Sequence, residues 1–227
     1  MISVLIPCYN ERKTIEEIVY RIQNLNNIKT QIIIVDDCSN DGTREILENK
    51  VENKVSKIIY NTTNQGKGYC IKLALEFAEE EIVLIQDADL EYNPNDYKKL
   101  IKPIVDGNAD VVYGSRFIGG DERRILFFWH SVINKFYTML SNMFTNQNLS
   151  DMETCYKVFK KEVINQIILK EKGFGFDPEI TAKIAKLKVR IYEVGISYFG
   201  RTYDEGKKIN FKDALIVLKC IFIYNLF

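Results

Sequence analysis

The sequence predicts one α/β domain, a mostly parallel sheet flanked by helices, and three observations lead there. Short apolar runs recur at residues 2–7 (ISVLIP), 31–37 (QIIIVDD), 57–61 (KIIYN), 81–89 (EIVLIQDAD) and 109–115 (ADVVYGS). These runs are continuously apolar rather than alternating, which marks strands buried on both faces. Helical periodicity fills the segments between them, so strand and helix take turns and the crossovers are right-handed. The third observation is length, because 227 residues suit one such domain.

Each element follows from local pattern. After the first run, residues 14–25 place Ile15, Ile18, Val19, Ile22 and Leu25 on one helical face. The second run closes on Asp36 and Asp37, and Asp41, Gly42 and Thr43 beyond it read as turn and helix-cap chemistry. After the third run, NQGKG at residues 64–68 leads into a helix over 69–77. A Gly-flanked lysine at a helix N-terminus suits an anionic phosphate, although the Walker pattern is absent. The fourth run stops at Asp87 and Asp89 and turns through Asn93-Pro94, and a helix then leads to the fifth run. Residues 125–144 carry apolar side chains at 125, 129, 132, 136, 140 and 143, a helical stripe. Helices are expected near 161–169 and 179–187, a strand over 189–196, and an amphipathic tail at the end.

Composition excludes several classes. Lys plus Arg and Asp plus Glu each number 31, so no net charge advertises a nucleic-acid partner. The five cysteines form no C-x-x-C pair and no zinc spacing, which fits a reducing, cytoplasmic setting. The start lacks the pattern of a secretory signal, and no stretch reaches the roughly 20 apolar residues of a membrane span. The last fourteen residues, ALIVLKCIFIYNLF, come closest. They and the 125–144 stripe either pack on the sheet or a second subunit, or lie peripherally on the cytoplasmic face of a membrane. His130 is the sole histidine and sits beside Trp129, so a packed or surface role is expected and no Ser/His/Asp triad forms.

Ligands of such sheets bind beyond the carboxyl ends of the strands. Asp87 and Asp89, two residues apart, would project to one side of an extended chain and repel unless a cation neutralised them. An all-oxygen pair favours Mg²⁺ or Mn²⁺, with Glu91 as a further ligand. The alternative is an ordinary acidic turn. Asp36 and Asp37 occupy positions from which carboxylates reach a ribose or base. Arg116, Arg201 and the pair Lys207 and Lys208 are cations that a diphosphate would recruit, the lysine pair being equally readable as solvated surface.

Taken in order, IPCYNE, VDDCSNDGT, NQGKGYCIKLAL, DADLEYNP, GSRF, LSDMETCYKVF, FDPEI and GRTYDEGKKI resemble glycosyltransferase family 2, in its dolichol-phosphate mannosyltransferase or polyprenyl-phosphate glycosyltransferase branch. The resemblance covers nearly the whole chain and implies the Rossmann-like GT-A fold and a metal-dependent, inverting transfer. A hexose would move from a nucleotide-sugar donor of GDP-mannose or UDP-glucose type to a polyprenyl or dolichyl phosphate. A saccharide or other hydroxyl acceptor, or nucleotide-sugar binding without turnover, is the alternative. Residues 1–116 would be the nucleotide-binding half, 117–210 the acceptor-side half and 211–227 the tail. Pro7, Tyr9, Glu11 and Asp36 would hold base and ribose, with Asp37, Lys67 and Ala88 completing the pocket. Asp87, Asp89 and Glu91 would carry Mg²⁺ or Mn²⁺ on the donor diphosphate. Arg116 would meet the acceptor phosphate or the leaving group, while Arg201 and Lys207 close over the diphosphate. Asp151 would be a base for a hydroxyl acceptor, or else position Lys157 or Arg116. Relatives commonly have glycine where this chain has Cys155, so Cys155 is expected to crowd the acceptor.

Overall fold

Seven strands form one sheet in the computed structural model, which describes residues 1–119, 122–125, 127–207 and 211–226. The strands are β1 (Ile2–Cys8), β2 (Thr30–Asp36), β3 (Lys57–Tyr60), β4 (Ile82–Ile85), β5 (Val111–Ser115), β6 (Lys157–Lys160) and β7 (Ile191–Gly195). The helices are α1 (Ile15–Gln23), α2 (Thr43–Ile46), α3 (Lys67–Leu75), α4 (Tyr97–Val105), α5 (Phe128–Thr145), α6 (Lys161–Ile164), α7 (Phe176–Lys186) and α8 (Phe211–Leu226). The sheet order is β3-β2-β1-β4-β6-β5-β7. β1 pairs in parallel with β2 and with β4, and β2 with β3, as the continuous apolar runs predict. Val4, Leu5 and Ile6 of the central β1 are fully buried. α3 packs on β1 and β2, and α4 on β5, β6 and β7.

One strand was not readable in advance. β6, the four residues KVFK, slots antiparallel between β4 and β5. Lysines at both ends hide its strand character, although Val158 and Phe159 are fully buried. Its direction matters for function. Because β6 runs against its neighbours, the residues that precede it, 151–156, are delivered to the edge where β1 and β4 terminate. The helices expected at 161–169 and 179–187 also shift, to Lys161–Ile164 and Phe176–Lys186.

The stripe on α5 does not pack on the sheet. α5 buries Thr138 and Ser141, while Trp129, Phe136 and Met143 are 70%, 46% and 70% exposed. α8 buries Val217, Cys220 and Ile221, the first and last packing with Met152, Tyr137, Leu140 and Phe174, and leaves Leu215, Ile216 and Phe222 outward. Tyr137 donates to the Ala214 carbonyl at 2.9 Å and Tyr224 to Glu171 at 2.7 Å, so α8 is fastened to the domain. Among the described residues, no helix is long and apolar enough to cross a membrane.

The glycines of NQGKG serve close packing. A Cβ on Gly66, whose φ is 97°, would stand 2.5 Å from the Lys172 carbonyl oxygen, and one on Gly68 would stand 2.4 Å from that of Glu171. Backbone cannot yield as a flexible side chain can. Gly68→Ala should therefore lose about 1–3 kcal/mol of stability, as overpacked sites do; an unchanged urea midpoint would show that the 171–173 segment moves aside freely.

Candidate functional site

The site lies at the carboxyl edge, where β1 and β4 end side by side. β4 stops at Ile85, so Asp87 and Asp89 stand in the turn beyond it and not in the extended chain the sequence suggests. That turn is shaped locally: Asp89 Oδ1 accepts from the Glu91 amide at 3.1 Å, and Leu90 adopts a φ of 64°. Fully buried Gln86 anchors it from below. Gln86 Oε1 accepts from the hydroxyls of Tyr97 and Tyr156, both at 2.8 Å, and its Nε2 donates to the Asp87 carbonyl at 2.9 Å. As the apparent last residue of an apolar run, Gln86 carries no sequence signal for this role.

Two cations face the aspartates. Lys67 Nζ lies 2.8 Å from Asp87 Oδ1 and 3.1 Å from Oδ2. Burial works against both charges, yet their pairing prevails and holds the Asp87 carboxyl low and the Lys67 ammonium high. Arg201 reaches in from the segment after β7. Its Nη2 is 3.0 Å from Asp89 Oδ2, its Nη1 and Nη2 are each 3.2 Å from a Glu11 oxygen, and its Nε is 3.2 Å from Glu91 Oε1. One guanidinium thus faces three carboxylates. It does not balance them: burial, then Asp87 and Glu91, push Asp89 up to about 7 against the pull of Arg201. Surplus negative charge on hard oxygens suits Mg²⁺ or Mn²⁺, so Asp87 and Asp89 fit such an ion.

Among the described residues, no three carboxylate, His or Cys side chains are already grouped around a point for a metal. Glu91, the expected third ligand, is engaged as a clasp on the 198–201 segment. Its Oε2 accepts from the Tyr198 hydroxyl at 2.6 Å, and Oε1 from the Arg201 amide at 3.0 Å.

The nucleotide-side residues are also more engaged than expected. Asp36 Oδ2 accepts from Arg44 Nη2 at 2.7 Å and Nε at 3.0 Å, while its Oδ1 is buried with no hydrogen-bond partner. Arg44 went unnoticed because it reads as a surface residue of α2. Asp37 staples the loop before α3, its Oδ1 taking Asn61 Nδ2 and the Gln65 amide, both at 2.8 Å, and its Oδ2 the Gly66 amide at 2.7 Å. The α3 N-terminus departs from the phosphate-cradle expectation: the Tyr69 amide donates to the Lys172 carbonyl at 3.0 Å, and the 171–173 segment covers it. Pro7 is half-buried, Tyr9 is exposed just past β1, and Ala88 is buried between the aspartates.

On the other flank, Arg116 follows β5 and is gripped by fully buried Asp151. Arg116 Nε meets Oδ2 and Nη2 meets Oδ1, both at 2.7 Å, and the Arg116 amide donates to Oδ2 at 3.0 Å. Glu193 of β7 accepts from the Ser150 and Asp151 amides and so fixes the gripping residue. Lys157 pairs with Asp177, not with Asp151. The Arg116 guanidinium lies 5.2 Å from the Tyr198 ring centre. Lys207 sits 5.6 Å from the Phe127 ring centre. Burial lowers its pKa, with Arg116 and Arg201 adding to the effect and Glu91 and Asp89 opposing, so Lys207 shares their surroundings. Lys208 lies outside the described residues. His130 bonds the Tyr203 hydroxyl at 2.9 Å, a surface contact.

Two residues of the DMETCYK segment differ from expectation or were missed. Cys155, expected to crowd the acceptor, is buried beneath the aspartate turn, its Sγ 3.8 Å from the Ile85 carbonyl and hydrogen-bonded to Asp87. Glu153 escaped notice beside Asp151. Its Oε1 is buried without a partner, and burial together with Asp177 pushes its carboxyl up to about 8 despite Lys157 and Arg116.

Comparison with known proteins places these features in context. The model of glycosyl transferase family 2 matches residues 3–168. A dolichol-phosphate mannosyltransferase of Pyrococcus furiosus is 30% identical over 213 residues, 92% of this chain and 60% of the relative. The chain therefore spans under two thirds of that protein's length. An undecaprenyl-phosphate mannosyltransferase of Micrococcus luteus is 25% identical over 91% of this chain and 86% of its own. Among solved structures, glucosyl-3-phosphoglycerate synthase from Mycobacterium tuberculosis, crystallised with Mn²⁺, UDP and phosphoglyceric acid, superposes with a TM-score of 0.75. It is 16% identical, and the match covers 99% of this chain and 78% of that one, which shows a shared GT-A fold.

The raised Glu153 pKa has a signed consequence. Above the ordinary value of 4.5 the unfolded chain loses this proton, while the folded carboxyl keeps it to about 8. The group therefore subtracts stability progressively as pH rises through that window. Glu153→Gln should flatten the pH dependence of thermal unfolding between those limits; parallel slopes in the two proteins would refute the assignment.

Proposed function

The chain belongs to glycosyltransferase family 2, and on that premise we propose that it transfers a hexose, with inversion, from a nucleotide-sugar donor to a polyprenyl phosphate. The observation that carries this reading is the meeting of the acidic turn 87–91 with Lys67 and Arg201, flanked by Arg116 and Lys207. Carboxylates for a cation and cations for phosphates converge there. The names of the Pyrococcus and Micrococcus relatives add support for a lipid-phosphate acceptor.

In this mechanism an acceptor phosphate oxygen attacks the anomeric carbon from the face opposite the diphosphate. The new C–O bond forms as the old one breaks, and the bonding pair leaves with the nucleoside diphosphate. Asp87 and Asp89 would hold Mg²⁺ or Mn²⁺, which when bound supplies positive charge to the leaving diphosphate. Arg201 and Lys207 would add to that stabilisation as the charge grows. Arg116, kept in one orientation by Asp151, would receive the acceptor phosphate. An anionic phosphate needs no general base, which agrees with a fully engaged Asp151. Pro7, Tyr9, Glu11 and Asp36 would border the nucleoside, with Asp37 shaping that pocket through its loop.

The exposed face of α5 and α8 acquires a use in the same reading. Phe128, Trp129 and Phe136 face outward, and Phe127 at the start of α5 touches Lys207 and Tyr203. Lying on a bilayer surface, this face would bring lipid phosphates toward Arg116. A hydroxyl acceptor is the second reading, favoured by Glu153, whose pKa near neutrality suits a general base.

A donor screen monitoring UDP and GDP release with Mg²⁺ or Mn²⁺, with and without a short polyprenyl phosphate, tests the reading. Release stimulated by the lipid phosphate is expected, and Asp89→Ala should reduce it at least about 100-fold; lipid-independent transfer to a sugar hydroxyl would favour the second reading. Asp151→Asn should lower kcat while leaving the pH profile of kcat unchanged, because Asp151 acts through Arg116. Loss of an ionisation from that profile would make it a base.

A further inference from the structure

We infer that Arg201 makes the acidic turn selective for a divalent cation carried by a nucleoside diphosphate over a free one. The inference rests on the metal and donor roles proposed above. Arg201 and a cation require the same carboxylate, since Arg201 Nη2 is 3.0 Å from Asp89 Oδ2. The guanidinium is not loosely placed. Glu11 receives it through both terminal nitrogens at 3.2 Å, its backbone amide is bound to Glu91 at 3.0 Å, and its side chain is only 18% exposed.

Consider the two ways a cation could enter. A free dication that takes Asp89 leaves a largely buried guanidinium with Glu11 and Glu91 but without its third counter-charge, a loss that nothing else repays. A dication on a nucleoside diphosphate brings phosphate oxygens with it. Asp89 then exchanges guanidinium for metal while Arg201 exchanges carboxylate for phosphate, its planar fork matching either partner. Arg201 keeps its number of ionic partners in the second case and loses one in the first. Metal and nucleotide therefore bind with positive coupling, and by linkage each raises the affinity of the other by the same factor.

The test is a Mn²⁺ titration followed by the electron paramagnetic resonance signal of the free ion, with no nucleotide, with UDP and with GDP. The parent protein should bind Mn²⁺ alone weakly and about tenfold or more tightly with the matching nucleotide. Arg201→Gln should bind Mn²⁺ alone about tenfold more tightly than the parent and lose most of the nucleotide enhancement. Arg201→Lys keeps the charge without the fork and should fall between them, so it carries the test if the glutamine variant does not fold. A variant of native circular dichroism whose affinity for Mn²⁺ alone equals or falls below the parent's overturns this inference and leaves the proposed function standing. That result is what a plain phosphate-binding role for Arg201 predicts. No Mn²⁺ binding by parent or variant with either nucleotide overturns both.

Discussion

Charge compensation at the carboxyl edge is the constraint on which the rest of this structure depends. Glu11, Asp87, Asp89 and Glu91 crowd one end of the sheet, and like charges gathered out of water are costly unless cations answer them. They are tolerated because Lys67 and Arg201 stand against them. Arg201 is the more consequential partner. It ties the segment after β7 to the ends of β1 and β4, so the acidic turn and the loop that covers it are positioned by the same ion pairs. Carboxylates and cations already near one another in this way can exchange partners at little cost.

A second layer of buried polar residues keeps the first in place. Gln86 receives two tyrosine hydroxyls and holds the Asp87 backbone, Cys155 lies under the Asp87 carboxylate, and Asp151 fixes Arg116 while Glu193 fixes Asp151. Hydrogen bonds of this kind cost little when complete and much when broken, because each partner is out of reach of water. The inserted strand β6 explains how these residues reach the site. An antiparallel strand in an otherwise parallel half-sheet carries the 151–156 segment to the edge where the carboxylates that follow β1 and β4 emerge.

Much of this was legible from the residues. Continuous apolar runs identified β1 to β5, most plainly the inner strands β1, β2, β4 and β5, because burial on both faces leaves a local mark that does not depend on neighbours. The acidic turn and the lysine at residue 67 stood out because polar side chains ended those runs. β6 was not legible, since four residues with a lysine at each end resemble a loop, and the partners that let Lys157 be buried, Asp177 and the Thr154 carbonyl, are set by the fold. The α5 stripe shows the opposite limit: helical periodicity revealed the helix but not that its apolar face points away from the sheet.

The sequence by itself determined the fold class, the family and the set of charged residues gathered at the strand ends, for these are properties of short segments read one at a time. Only the tertiary structure decided which charge answers which. Lys67 and Asp87 are 20 residues apart, and Arg201 and Glu11 are 190 apart. No local pattern encodes such pairs, because ion pairing depends on distance in space and on exclusion of water, and both are set by how the helices and strands pack.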